Sequence, residues 1–260
     1  MRILSAIGRI FYASTIIVMG AYMIYYRDFP YMLIPPKHQW IPGLVTLAYV
    51  FGALFILAGA CIAFEIKTRS ISLILGTLLL LIFCFYFIPY ELIVSPAYMQ
   101  FGDWENSAKE LALAGGAFVI GGCFPKKNET ALTQILGSLI PLGTILFSLT
   151  IISFGIDHFL YAKEAADYVP SWIPWHLFWI YFCGTALLGA GLAILFKIKR
   201  EVAAALLGTM ILIWFIILHT PRMISSPLAY LGSEVTSAFI ALAYSGIAFV
   251  IAGGKRQQTR

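Results

Sequence analysis

The four histidines, His38, His158, His176 and His219, are the side chains here best suited to exchange a proton near neutral pH, because imidazole is the only group whose ordinary titration falls there. His158 follows Asp157 directly, and His219 lies shortly before Arg222. The other two histidines, His38 and His176, sit beside tryptophans: Trp40 for the first, and Trp172, Trp175 and Trp179 for the second. No pair has the HxxxH or HxH spacing that fixes two metal ligands on one element, so the chain is read as having no metal site. A b-type haem would need two histidines facing each other, and His158 with His219 is the pair that could supply them. The four cysteines, Cys61, Cys84, Cys123 and Cys183, form no CxxC and read as small apolar packing residues rather than a dithiol relay.

These groups must be held by elements that cross a membrane. Of 260 residues, 61% are hydrophobic and 11% charged, against about half and about a quarter in an ordinary soluble domain. Eight stretches lack Asp, Glu, Lys and Arg: 10–26, 38–64, 70–90, 111–125, 130–156, 168–196, 202–221 and 235–254. A helical crossing needs roughly 20 mostly apolar residues, whereas strands of a membrane barrel need about ten with alternating polarity. Lipid offers no partner to a bare amide, so runs of this length close their hydrogen bonds internally as helices. The fold class is therefore all-α, a polytopic membrane protein with about eight transmembrane helices. The fourth run is short; it spans if its helix begins near Trp104 and lets Lys109 and Glu110 reach up to the interface.

With a cytoplasmic N-terminus, twelve of the 17 Lys and Arg fall inside. They include Lys67, Arg69, Lys126, Lys127, Lys197, Lys199, Arg200 and the basic residues of both termini, while Arg27, Lys37, Lys109, Lys163 and Arg222 fall outside. This bias predicts both termini in the cytoplasm of a bacterial-type inner membrane. The net charge of +5 then lies beside anionic lipid, and no nucleic-acid partner is implied. The first run has the basic start of a signal peptide but ends in Tyr25, Tyr26 and Arg27, so it is read as a retained first helix.

An ungapped shift of 132 residues lays 40–89 over 172–221 with 17 of 50 positions identical, including Trp40-Ile41-Pro42 with Trp172-Ile173-Pro174, Lys67 with Lys199, and Pro89 with Pro221. A shift of 131 pairs Ser95-Pro96 with Ser226-Pro227 and the AFVI of 117–120 with that of 248–251. The chain thus reads as two tandem four-helix bundles, 1–125 and 130–260, inserted with the same orientation and hinged around 126–129. Pro42 and Pro174 read as helix starts. Ala112, Gly116, Ala117 and Gly121, with Gly184, Gly189 and Gly191, read as close helix contacts.

The two copies differ in polarity. Positions matched to His158, His176, His219 and Arg222 carry Met23, Leu44, Phe87 and Tyr90. The second copy is therefore expected to hold the pocket, with Asp157, His158, His176, His219 and Arg222 as polar groups, Trp172, Trp175 and Trp179 as aromatic walls, and Asp157 as the partner of Arg222. Such a site suits a quinone headgroup, a metal or a small anion. A plainer reading stands beside it, since imidazole and indole rings are at home in the interface with their polar edges wet. Glu91 is the first copy's best polar candidate.

On the segments FGIDHFLY, VPSWIPWHLFW, 184–191, LHTPR and KELALAGGAFVIGG, the chain resembles the DoxX-like membrane proteins, here as two units in tandem. That resemblance implies a quinone-binding or partner-binding role in a membrane redox system, with the Asp157, His158, His176, His219, Arg222 group as candidates. A histidine would exchange the proton that accompanies electron transfer and Arg222 would stabilise an anionic oxygen. No cofactor motif is evident, so electrons would come from a partner. The competing expectation is a non-enzymatic scaffold, assembly or transport-accessory component that binds other membrane proteins.

Overall fold

In a computed structural model, which describes residues 2–35, 41–95, 99–126 and 130–254, the apolar runs fold as helices. In chain order these are α1 (Arg2–Tyr26), α2 (Leu44–Ala63), α3 (Thr68–Val94), α4 (Glu105–Gly122), α5 (Ala131–Leu160), α6 (His176–Leu195), α7 (Arg200–Ser225) and α8 (Ser233–Gly253). Among the described residues, seven helices are long and apolar enough to cross a membrane, all of these but α4. This is the architecture of an all-helical, multi-pass membrane protein. Its outward faces carry residues such as Leu57, Phe85, Leu206 and Ile216, exposed where lipid is the solvent. His38, Lys37, Trp40, Pro96, Lys127, Glu129 and the basic C-terminal residues lie outside the described residues.

The helices are arranged around α8 and α4. In α8, 78% of the most apolar stretch is buried, against 17 to 44% in the other six spans. It packs on α1, α4 and α7, while α4 packs on α3, α5 and α8. Each half's first helix therefore lies against the other half's last helix, α1 on α8 and α5 on α4, about as extensively as against its own neighbour. Both crossings run through glycine pairs. A Cβ on Gly115 would come 2.7 Å from the Gly143 carbonyl oxygen, and Gly8 and Gly246 meet in the same manner.

Helix limits repeat at the spacing of the sequence match. Adding 132 to Leu44–Ala63 gives His176–Leu195, and adding it to the π-helical turn Phe83–Phe87 of α3 gives the π-helical turn Phe215–His219 of α7. A matched proline follows each turn. Pro89 and Pro221 supply no amide hydrogen, and their rings crowd the carbonyl four residues earlier, so the preceding turn widens to i→i−5 bonds: Ile88 N–H to Phe83 O, and Thr220 N–H to Phe215 O. Pro42 and Pro174 do not begin helices as expected. The chain first turns through a left-handed residue, Gly43 (φ 69°) or Trp175 (φ 58°), and the helices start at Leu44 and His176.

At one end of the bundle, buried arginines satisfy helix C-termini. Arg9 donates to the carbonyls of Ile62 (2.5 Å) and Ala63 (2.7 Å) at the end of α2 and pairs with Glu65 at 2.7 Å. Arg69 donates to Gly121 O (3.1 Å) and Phe124 O (3.3 Å) at the end of α4. At the other end α4 departs from expectation. Lys109 does not reach out alone but pairs with Glu105 one turn back at 2.7 Å, and Glu110 is 0% exposed. Because α4 is walled by protein, Glu110 is enclosed among helices, while Glu105 and Lys109 pair with each other.

Candidate functional site

The ends of α5 and α7 and the starts of α4 and α8 surround a polar vestibule of about 610 Å³. Its charged lining is Glu105 and Lys109 from α4, Asp157 from α5, Glu164 from the turn after it, Arg222 from α7 and Glu234 from α8. Below lies an apolar chamber of about 350 Å³, walled by Ile151, Phe154, Ile180, Cys183, Leu187, Met210, Trp214, Ile240 and Tyr244. His158, His219, Tyr168, Glu105 and Lys109 belong to both linings, so the vestibule opens into the chamber across the two imidazoles.

Within this site the His158 Nδ1 lies 2.7 Å from the Phe154 carbonyl oxygen. A carbonyl only accepts, so Nδ1 carries the hydrogen and Nε2 is the basic nitrogen of the neutral ring. His219 closes the π-helical turn of α7, whose extra residue turns the following segment toward α8. Arg222 is held by Glu234 rather than by Asp157 as the sequence led us to expect: Nε donates to Oε2 at 3.0 Å and a terminal nitrogen to Oε1 at 2.6 Å. Its guanidinium also lies 4.5 Å from the centre of the Tyr168 ring. The start of α8 packs beside the end of α7, and this brings Glu234 within reach; Asp157 is left with both carboxylate oxygens buried and no hydrogen-bond partner.

Four of the seven expected site residues, Asp157, His158, His219 and Arg222, thus line one cavity. The other three do not. Trp172 and Trp175 are 71% and 79% exposed and line a groove between α6 and α7, and half-buried His176 opens α6 without lining the vestibule or the chamber. The expected aromatic walls are supplied instead by Phe154, Tyr168, Trp214 and Tyr244. Gly184 and Gly191 do make close contacts, with His158 and Ile152 of α5, but a Cβ on Gly189 would meet no atom within 4 Å. Glu91 of the first half is buried near the end of α3.

Glu105, Lys109, Glu234 and Tyr244 were missed as site residues. For Lys109 a signal was present: a charge inside a helix that must cross faces either a neighbour or a cavity. The Tyr244 hydroxyl is buried in the chamber lining without a hydrogen-bond partner. Both basic side chains of the vestibule are already paired to carboxylates, so among the described residues a small anion finds no uncommitted cation there. No three described His, Cys, Asp or Glu side chains cluster closely enough to hold a metal ion. Comparison with protein families, with curated proteins and with solved structures gave no match for this chain.

The arrangement can receive an amphipathic molecule. An apolar ring would fill the chamber, and its outer edge would lie at the imidazoles. Ligand cavities commonly have this make-up, apolar walls with a few convergent polar groups.

Proposed function

We propose that this chain is an integral membrane subunit of a redox system and binds a quinone headgroup in the chamber of its second half. One observation carries the reading: an apolar cavity of about 350 Å³, walled by the rings of Phe154, Trp214 and Tyr244, with two imidazoles at its mouth. A quinone has an apolar ring and two opposed acceptor oxygens, which is what those groups would recognise. It supplies an acceptor of electrons and protons when bound. The chain's own contribution is to orient the ring, to shield it from water, and to move protons between it and the vestibule. The Nε2 of His158 is the basic nitrogen available to that exchange, and the vestibule above it is the route by which the proton reaches water. Arg222, neutralised by Glu234, acts as a fixed donor rather than a free charge.

We read the whole chain as two DoxX-like four-helix units, 1–125 and 130–260, with α4 as an eighth crossing, in a bacterial-type inner membrane with both termini cytoplasmic. Helix limits that recur at the sequence offset support the duplication, and a helix of 18 residues among α3, α5 and α8 supports the eighth crossing.

The test is lipid extraction of protein purified in mild detergent. Co-purifying quinone is expected at near one per chain, falling about tenfold in His219→Ala. An extract without quinone, together with a stably co-purifying membrane protein, would replace this reading with that of a scaffold.

A further inference from the structure

The chamber is at the small end of ligand cavities, large enough for a ring and too small for a long hydrocarbon tail. A tail cannot lie in the charged vestibule above it either, since apolar surface there would stay in water. On the lipid-facing side, however, α6 and α7 leave an apolar groove of about 890 Å³. Of the neighbouring helix pairs in the second half, α6 and α7 pack least extensively. Met210 and Trp214 line both the groove and the chamber, so one layer of side chains separates the two. In that layer Trp179 meets Trp214 edge to face, with ring centres 6.3 Å apart.

Short side chains make the groove. Ala186, Gly189 and Ala203 line it, where the matched positions of the first half carry Leu54, Leu57 and Ile71. The chamber shows the same difference, with Cys183 and Leu187 where the first half has Phe51 and Phe55. At these five positions the second half carries the shorter side chain, and the two hollows adjoin.

We propose that the groove is the lateral path by which the ligand leaves and enters the bilayer, and that in the bound state it holds the ligand's single isoprenoid or alkyl tail, with the Trp179–Trp214 pair as the threshold. This inference rests on the headgroup reading above, and its test separates the two. Binding of two probes to detergent-purified protein is followed by quenching of tryptophan fluorescence: a tailless dimethoxy-methyl-benzoquinone and its decyl derivative. The double variant Gly189→Leu/Ala203→Ile restores the first half's residues, and a Cβ on Gly189 meets no atom within 4 Å. Ala186→Leu fills the groove from the same helix and serves as a second variant.

The decyl probe is expected to bind the unmodified protein about tenfold or more tighter than the tailless one, the scale of burying a few methylenes. Either variant should lower decyl affinity about tenfold and leave the tailless probe unchanged, whereas His219→Ala should weaken both. Equal losses for the two probes in the groove variants, or no loss for either, would overturn the lateral path while leaving the headgroup site standing. If neither probe binds the unmodified protein, the headgroup reading fails and the path falls with it.

Discussion

Arg222 and Glu234, 12 residues apart across the α7–α8 turn, join two helix ends by two parallel hydrogen bonds. Such bidentate geometry is the strongest form of the Arg–carboxylate contact, but the side chains are 35% and 16% exposed, so water screens part of the attraction. Glu234→Gln removes the charge and keeps the shape. It should lower stability by about 1 kcal/mol, between the values for exposed and buried pairs, and the double variant Arg222→Gln/Glu234→Gln should recover part of that loss. Thermal unfolding in detergent measures both; equal melting of Glu234→Gln and the unmodified protein would mean the pair only orients Arg222. Asp157 behaves oppositely, because its oxygens are buried without a partner and neutralising it removes a desolvation cost. The expected pairing of Arg222 with Asp157 was the wrong one, since which acid reaches an arginine depends on how two helix ends meet, and hydropathy does not encode that.

In α7, Met210, Trp214, Leu218 and Arg222 line the cavities at intervals of four residues. A regular α-helix would drift about 40° at each such step, and the π-helical turn at Phe215–His219 takes back much of that drift, keeping His219 and Arg222 on the cavity side. Deleting Ile216, which faces outward, should return the segment to α-helical pitch and swing His219 and Arg222 away by about 100°. Co-purified quinone should then fall about tenfold with helical content unchanged by circular dichroism, while Ile216→Ala keeps its quinone; retention after the deletion would deny the turn its positioning role. The matched prolines that widen this turn were visible in the sequence, and the uncharged runs located α2, α6 and α7. Those runs gave the last residue of α2 and α6 to within one but start well before either helix does, because uncharged runs and prolines record backbone demands and not where a loop becomes a helix. The groove-lining tryptophans were visible only as a cluster: Trp172 and Trp175 lie on the lipid side because α6 starts after a left-handed turn, and hydropathy does not report which way such a turn aims its neighbours.

At the scale of the molecule, charge divides between the two ends of the bundle. Arg9, Arg69, Lys199 and Arg200 gather where α2 and α4 end and α3 and α7 begin, and the vestibule with its excess of carboxylates opens where α5 and α7 end and α4 and α8 begin. The long runs made the crossings legible, but α4 was the least legible element, because a helix walled by protein can carry Glu105, Lys109 and Glu110 that hydrocarbon would reject. If α4 crosses, every later helix keeps the orientation that leaves Lys199 and Arg200 on the side of Lys67; if it did not, they would stand opposite. Single cysteines at Lys67, Lys163 and Lys199, placed in a chain whose four native cysteines are replaced, distinguish the two. A membrane-impermeant maleimide added to intact cells should label Lys163→Cys alone, and inverted vesicles should expose Lys67→Cys and Lys199→Cys together. Labelling of positions 67 and 199 from opposite sides would remove α4 from the count of crossings and put the vestibule on the cytoplasmic face.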